Sequence, residues 1–210
     1  MENKINLYRY ACRLTSIKRF AALKLDRDYS AASHSYRVAI LAMMIADDYN
    51  QTKPAVLINT EEVLRKALLH DLEEAFIGDI PTPAKKMLKE FNDMYDVLAE
   101  KVMKEEILPN CPNPDYYFDL WKNQKDGETG EIIKLADTLE ALCTTFYELK
   151  RGNIVVAKAN QKFIDWFKSD KGVELTQKYP LAKKMFEGHI YEADFQIIKV
   201  IKKVDDEEAA

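Results

Sequence analysis

Residues 131–149 read EIIKLADTLEALCTTFYEL, and in them Ile132, Ile133, Ala136, Leu139, Leu142, Cys143 and Phe146 recur at the three- and four-residue intervals of an α-helix with one buried face. A half-buried strand would alternate every second residue instead, so this segment is predicted as a helix ending at Gly152. One residue interrupts the stripe. Asp137 falls on the buried side, where a carboxylate is costly unless it is paired or bound to a metal.

The same period recurs on both sides. Leu7, Ala11, Leu14, Ile17 and Ala21 predict a first helix from Asn6 to Leu23, followed by a polar break from Asp26 to Ser30. A second helix is predicted from Ser33 to Tyr49, burying Val38, Leu41, Ala42 and Ile45, with Met43 and Met44 as core filling and His34 in its first turn. Asn59 with Glu62 three residues on reads as a capping box that opens a helix through Val63, Ala67 and Leu68 to Phe76, stopped by Gly78. Thr82 as N-cap and Pro83 at the first helical position predict a long helix to Ile107. From Leu108 to Gly130 the pattern lapses except for a short helix at Tyr116 to Lys122, and beyond Gly152 two or three helices are broken near Gly172 and Pro180. Six glycines in 210 residues and no convincing alternating segment point to an all-α single domain over residues 1–204, with 205–210 a frayed acidic tail.

The 31 basic and 35 acidic side chains leave a formal charge of -4, carried by the acidic run Asp205 to Glu208. A balanced body has no global field for a polyanion, so no nucleic acid polymer is expected as partner, and any anion must be held locally. The longest apolar run, Val38 to Ala46, is nine residues against the roughly 20 of a membrane helix. Together with the polar start MENKINLYRY this leads to the expectation of a soluble, cytoplasmic chain without membrane partners. Cys12, Cys111 and Cys143 are odd in number and widely spaced, which encodes neither a disulfide framework nor a thiolate zinc site.

Only three histidines are present, and His70 directly precedes Asp71 in a predicted helix. Neighbouring helical residues point about 100° apart, so both can reach one ion beside the helix. With His34 and Asp137 they form a set of two imidazoles and two carboxylates from three helices, suited to a divalent metal with positions left open for water and substrate. His189, near a helix end, reads as a capping residue. Tyr116, Tyr117, Phe118 and Trp121 read chiefly as core, with base stacking or a dimer contact as the other uses.

This arrangement resembles the HD-domain metal-dependent phosphohydrolase superfamily, and within it the 5'-deoxynucleotidase branch of YfbR-like and HD-domain-containing-2 proteins. The resemblance spans roughly Leu14 to Gly152 in separate pieces: Ile17-Lys18-Arg19-Phe20, Ser33-His34-Ser35, His70-Asp71-Leu72-Glu73-Glu74, Gly78-Asp79-Ile80-Pro81-Thr82-Pro83-Ala84-Lys85 and Ile133-Lys134-Leu135-Ala136-Asp137. It implies an HD-domain helical bundle, a single divalent ion (Mn, Co, Fe, Ni, Zn or Mg) on His34, His70, Asp71 and Asp137, a nucleotide substrate and a homodimer. Two positions depart from the family. Ser33 stands where Glu usually precedes the first metal histidine, and Phe20 stands where Trp usually follows the arginine.

The expected roles follow from chemistry and position. A divalent ion acidifies water and polarises a phosphoryl oxygen. Glu74, four residues after His70, shares its helical face and is the expected general acid or base, whereas Glu73 is expected to be solvated. Arg19 offers a fork for phosphate, with Lys18 and Lys85 as possible assistants. From the resemblance, Asp79 accepts a hydrogen bond from the sugar 3'-hydroxyl and Phe20 lies where a ribose 2'-hydroxyl would be crowded. The expected reaction is hydrolysis of a deoxynucleoside 5'-monophosphate; a triphosphohydrolase, a cyclic-nucleotide or alarmone phosphodiesterase, and an inert nucleotide-binding module are the alternatives.

Overall fold

The computed structural model describes residues 6–188, all helix, turn and loop except for one isolated bridge between Lys18 and Ser30. The expected all-α bundle is what forms. Its centre is α8 (Gly127–Lys150), which buries residues around most of its circumference, among them Ile132, Leu135, Ala136, Leu139, Leu142 and Phe146. Against it lie α2 (Ala31–Thr52), α3 (Thr60–Leu69) and α9 (Ala157–Lys168). Then α10 (Asp170–Lys178) packs on α9, and a last helical stretch runs from 180 through 188. On the other side α1 (Asn6–Arg13), α4 (Glu74–Ile77), α5 (Thr82–Met87), α6 (Lys89–Val102) and α7 (Pro114–Lys122) close the bundle. Among the described residues no helix is long and apolar enough to cross a membrane.

Two apolar clusters result. One joins Val38, Ala42, Ile45, Val63, Ala67 and the α8 stripe to Ile164, Phe167 and Phe186. The other joins Tyr10, Leu14, Ala31, Leu69 and Leu72 to Tyr95, Val102, Met103, Leu120 and Trp121. The helices α2 and α3 each contribute to both, and the changeover falls between Ala31 and Val38 on one and between Ala67 and Leu69 on the other. His34 lies within the first changeover, and His70 directly follows the second.

Several expected boundaries move, each for a local reason. The first helix does not reach Leu23: after α1 a single 3₁₀ turn (Leu14–Ser16) ends at extended Ile17. Residues 17–31 then form a loop pinned by backbone bonds from Arg19 N–H to Tyr29 O (2.9 Å) and Ala31 N–H to Ile17 O (2.9 Å). Asn59 caps α3 through the Glu62 N–H, but the helix ends at Leu69 rather than Phe76, and His70 to Glu73 form a tight turn before α4. Pro81, not Thr82, occupies the cap position of α5, and extended Leu88 divides the predicted long helix, which closes in a π turn at Met103–Ile107. The irregular segment is shorter than expected, since α7 starts at Pro114 and α8 already at Gly127. The break before α10 is at Ser169, its N-cap, while Gly172 is helical; a Cβ there would lie 2.2 Å from Trp166 O, so close passage of α9's end explains the glycine. Met44 is exposed rather than core. No disulfide joins the cysteines: Cys12 is exposed, Cys111 buried and Cys143 half-buried. His189 and the acidic tail lie outside the described residues.

Candidate metal centre and substrate pocket

The turn after α3 decides the geometry. From Leu69 onward the backbone tightens to i→i+3 bonds: Leu72 N–H to Leu69 O (3.0 Å), Glu74 N–H to Asp71 O (3.1 Å), Ala75 N–H to Leu72 O (3.1 Å) and Phe76 N–H to Glu73 O (3.0 Å). With three residues per turn, side chains at i and i+3 eclipse. Asp71 and Glu74 therefore share one direction and meet the same guanidinium: Arg19 Nη1 is 2.6 Å from Asp71 Oδ2 and 3.6 Å from Glu74 Oε2. The His70 carbonyl, freed from the helix ladder, accepts a hydrogen bond from Gln124 Nε2 at 2.8 Å.

His34, His70 and Asp137 each present a ligand atom within 4.8 Å of the others. His34 Nε2 is 3.3 Å from His70 Nε2 and 3.3 Å from Asp137 Oδ1, and Asp71 Oδ2 is 3.5 Å from His34 Nε2 and 3.1 Å from His70 Nε2. His70 Nδ1 faces the Ala67 carbonyl at 2.8 Å, and a carbonyl only accepts, so this nitrogen carries the proton. His34 Nδ1 faces Glu140 Oε2 at 2.7 Å. In their neutral forms both rings thus aim an Nε2 lone pair at the other, an arrangement relieved by a proton on one ring or by a metal ion between them. Two nitrogens at about 2.1 Å from one ion, at a tetrahedral angle, are about 3.4 Å apart, so the donor set fits a divalent metal. His34 is fully buried, whereas the Asp71 and Asp137 side chains are 20% and 28% exposed, so the centre opens on its carboxylate side.

The charges respond to one another. Burial and the Arg19 charge disfavour the His34 cation, but hydrogen bonds to Asp137, Asp71 and Glu140 outweigh them and lift it to about 10. Burial resists ionisation of Asp71 and Asp137, yet His70 and Arg19 hold the first, and Lys134 and His34 the second, below the usual carboxylate range. Glu74 moves the other way, to about 9, because burial and the Asp71 charge outweigh Arg19.

The remaining expected residues divide. Arg19 stands in the centre, with its Nε buried and unpartnered, and so does Glu74 Oε2. Asp79, half-buried just beyond Gly78 (φ 89°), is near enough for its charge to act on Glu74. Phe20 adopts φ 54° and stacks on Tyr29 with ring centroids 5.8 Å apart, its edge toward Phe163. The two lysines are engaged elsewhere: Lys18 is exposed beside Asp28 at 3.9 Å, and Lys85 Nζ lies over the Tyr95 ring at 3.8 Å.

Glu73 is not solvated. It accepts from Trp121 Nε1 at 2.9 Å and Tyr95 OH at 3.4 Å, and burial with the Asp71 charge raises it to about 7. Trp121 thus belongs to the core with a polar task, while Tyr116 is 42% exposed. Residues given no role by the sequence also converge here: Glu140 and Tyr29 behind His34, Gln124 behind His70, and Lys134, whose Nζ is 3.2 Å from Asp137 Oδ2. Glu140 had a signal, a second carboxylate one turn after Asp137 in the same apolar stripe.

The comparisons with known proteins agree with this arrangement. The family model described as 5'-deoxynucleotidase YfbR-like matches residues 6–176. A 5'-deoxynucleotidase of Pectobacterium atrosepticum is 30% identical over 163 residues, 75% of this chain and 80% of that protein. An HD-domain phosphohydrolase of Listeria innocua superposes with a TM-score of 0.69 at 25% identity, covering 93% of this chain and 97% of that one. The cyanophage S-2L HD phosphohydrolase, which holds dA and one catalytic Zn2+ ion, shares the fold at a TM-score of 0.61 and 20% identity over 88% of this chain and 96% of its own. With its helical bundle, its histidine pair and a family match over most of its length, the chain belongs to the YfbR-like 5'-deoxynucleotidase family of HD-domain proteins.

Proposed function

We propose that this chain is a metal-dependent phosphohydrolase that converts deoxynucleoside 5'-monophosphates to deoxynucleoside and phosphate. The observation that carries the reading is the pair of opposed imidazole Nε2 atoms, 3.3 Å apart and flanked by Asp71 and Asp137. The naming of a 30% identical relative as a 5'-deoxynucleotidase supports the substrate class. His34, His70, Asp71 and Asp137 would hold one divalent ion, which supplies an acidified water and polarises a phosphoryl oxygen when bound.

The chain's own groups account for the rest. Arg19 receives the phosphate: its Nε is buried without a hydrogen-bond partner, its Nη1 already lies beside Asp71, and its fork matches two phosphoryl oxygens. Glu74, whose carboxyl keeps its proton at neutral pH, gives that proton to the 5'-oxygen as the P–O bond breaks. Phe20 packs against the sugar's C2' face, and Asp79 accepts from the 3'-hydroxyl. The catalytic unit works as a single cytoplasmic domain in a homodimer.

The test is product analysis of purified protein with Mn2+, Co2+, Mg2+ and Zn2+ against deoxy- and ribonucleoside mono-, di- and triphosphates, with light scattering for the dimer. Phosphate released from deoxynucleoside monophosphates is the expected result. Release of inorganic triphosphate would replace the reading with a triphosphohydrolase, and nucleotide binding without turnover would make the chain a binding module.

A further inference from the structure

What His34 presents to the centre is governed by what lies behind it, and behind it is a carboxylate from another helix. Glu140 is 2% exposed, accepts three side-chain hydrogen bonds and forms an ion pair with Arg37. The Tyr29 hydroxyl and His34 Nδ1 (2.7 Å) converge on Oε2, while Thr144 Oγ1 (3.0 Å) and Arg37 Nε (3.1 Å) converge on Oε1. An ionised carboxylate offers only lone pairs, so the nitrogen facing it must carry the proton, and the neutral ring is left with an Nε2 lone pair on the side of His70, Asp71 and Asp137. The placement follows from helical spacing: Asp137 and Glu140 lie three apart on α8, so one turn supplies both a ligand and the support of the opposing ligand.

The position before His34, where the family usually has Glu, does something else. Ser33 is the third residue of α2 and completes a reciprocal capping box with Ser30: its N–H bonds Ser30 Oγ at 3.2 Å, and Ser30 N–H bonds its Oγ at 3.2 Å. A glutamate there would reach the same Ser30 N–H. Ser33 is therefore a substitution within a helix cap, and the support of the histidine does not depend on it.

We propose that Glu140 is the positioning residue that fixes His34 in its metal-binding tautomer, an assignment that rests on the metal-dependent reading above. It is tested on Zn2+-loaded protein carrying ¹⁵N-labelled histidine, whose three imidazoles make an assignable spectrum, together with calorimetric Zn2+ titrations. In the wild type His34 should show a protonated Nδ1 and a ligating Nε2. Glu140→Gln should weaken Zn2+ binding about 10- to 100-fold, the scale for loss of a histidine's outer partner. Glu140→Asp should restore part of the affinity, and Ser33→Glu should leave it unchanged, with circular dichroism of the chelated proteins confirming the fold. Equal affinity in a folded Glu140→Gln protein overturns the assignment. A wild-type spectrum with His34 ligating through Nδ1 overturns it without any variant. Wild-type protein that binds no Zn2+ fails earlier, at the metal-dependent reading itself.

Discussion

Protons and metal should compete for this centre, which gives the chelated and loaded proteins opposite responses to pH. His34 titrates near 6.5 in an unfolded chain and at about 10 in the fold, and Glu74 moves from 4.5 to about 9. Between pH 6.5 and 9 the folded protein keeps protons that the unfolded chain has released, so stability falls as pH rises through this window. Both groups lie on the Asp71 and Arg19 network, and a single excess proton is counted for the pair. One proton corresponds to a slope of about 1.4 kcal/mol per pH unit, or about 3 to 6 °C of Tm per unit for a chain of this size. Metal reverses the trend because its ligands bind deprotonated. At 100-fold excess over Kd it adds about 2.7 kcal/mol, about 5 to 11 °C, and that gain grows with pH. Scanning calorimetry with chelator, and again with Mn2+, Co2+ or Zn2+, at several pH values from 6.5 to 9 reads both slopes. A chelated Tm flat across the window, with no metal-induced rise at its upper end, would refute the geometry of opposed imidazoles as a cation site.

Other changes separate the parts of the centre. Asp137→Ala should abolish the metal-induced rise in Tm while leaving the protein folded, as circular dichroism would check. Glu74→Ala should retain metal and nucleotide, measured calorimetrically, yet lose on the order of 100-fold or more in turnover; wild-type turnover would remove Glu74 from the mechanism. Wild-type preference for deoxy over ribo monophosphates should be at or below about 100-fold, the range for a hydroxyl facing an apolar wall, and Phe20→Trp should sharpen it in kcat/KM. Gly172→Ala should lower stability by about 1 to 3 kcal/mol, the range for overpacking, because its Cβ would lie 2.2 Å from Trp166 O; urea unfolding measures it.

What could be read from the chain was what repeats along it. The two long helices α2 and α8 bury stripes at regular spacing, and Asp137 stood out because it broke one of them. The turn at His70–Glu73 could not be read this way, since its apolar neighbours keep helical spacing while the backbone leaves the helix. It is held by groups far along the chain: Gln124 takes the His70 carbonyl, and Arg19 bridges Asp71 and Glu74. Glu73 was misjudged for the same reason, as its donors Tyr95 and Trp121 come from α6 and α7. Ile17 and Ala21 continue the spacing of α1 by coincidence, and only the bonds to Tyr29 and Ala31 reveal a loop.

His34, on α2, and His70, in the turn that follows α3, stand beside the junction of the two apolar clusters that both helices serve. An ion there would act as a rivet added to the continuity of α2 and α3 and to the contacts of the Arg19–Tyr29 loop with α8 and α9. Native-state hydrogen exchange should then show two cooperative units whose opening becomes a single event once the ion is in place. A substitution at the centre alters the chemistry and the seam together, so the residues that could be tuned for new substrates are also those that decide whether the molecule opens as one piece or two.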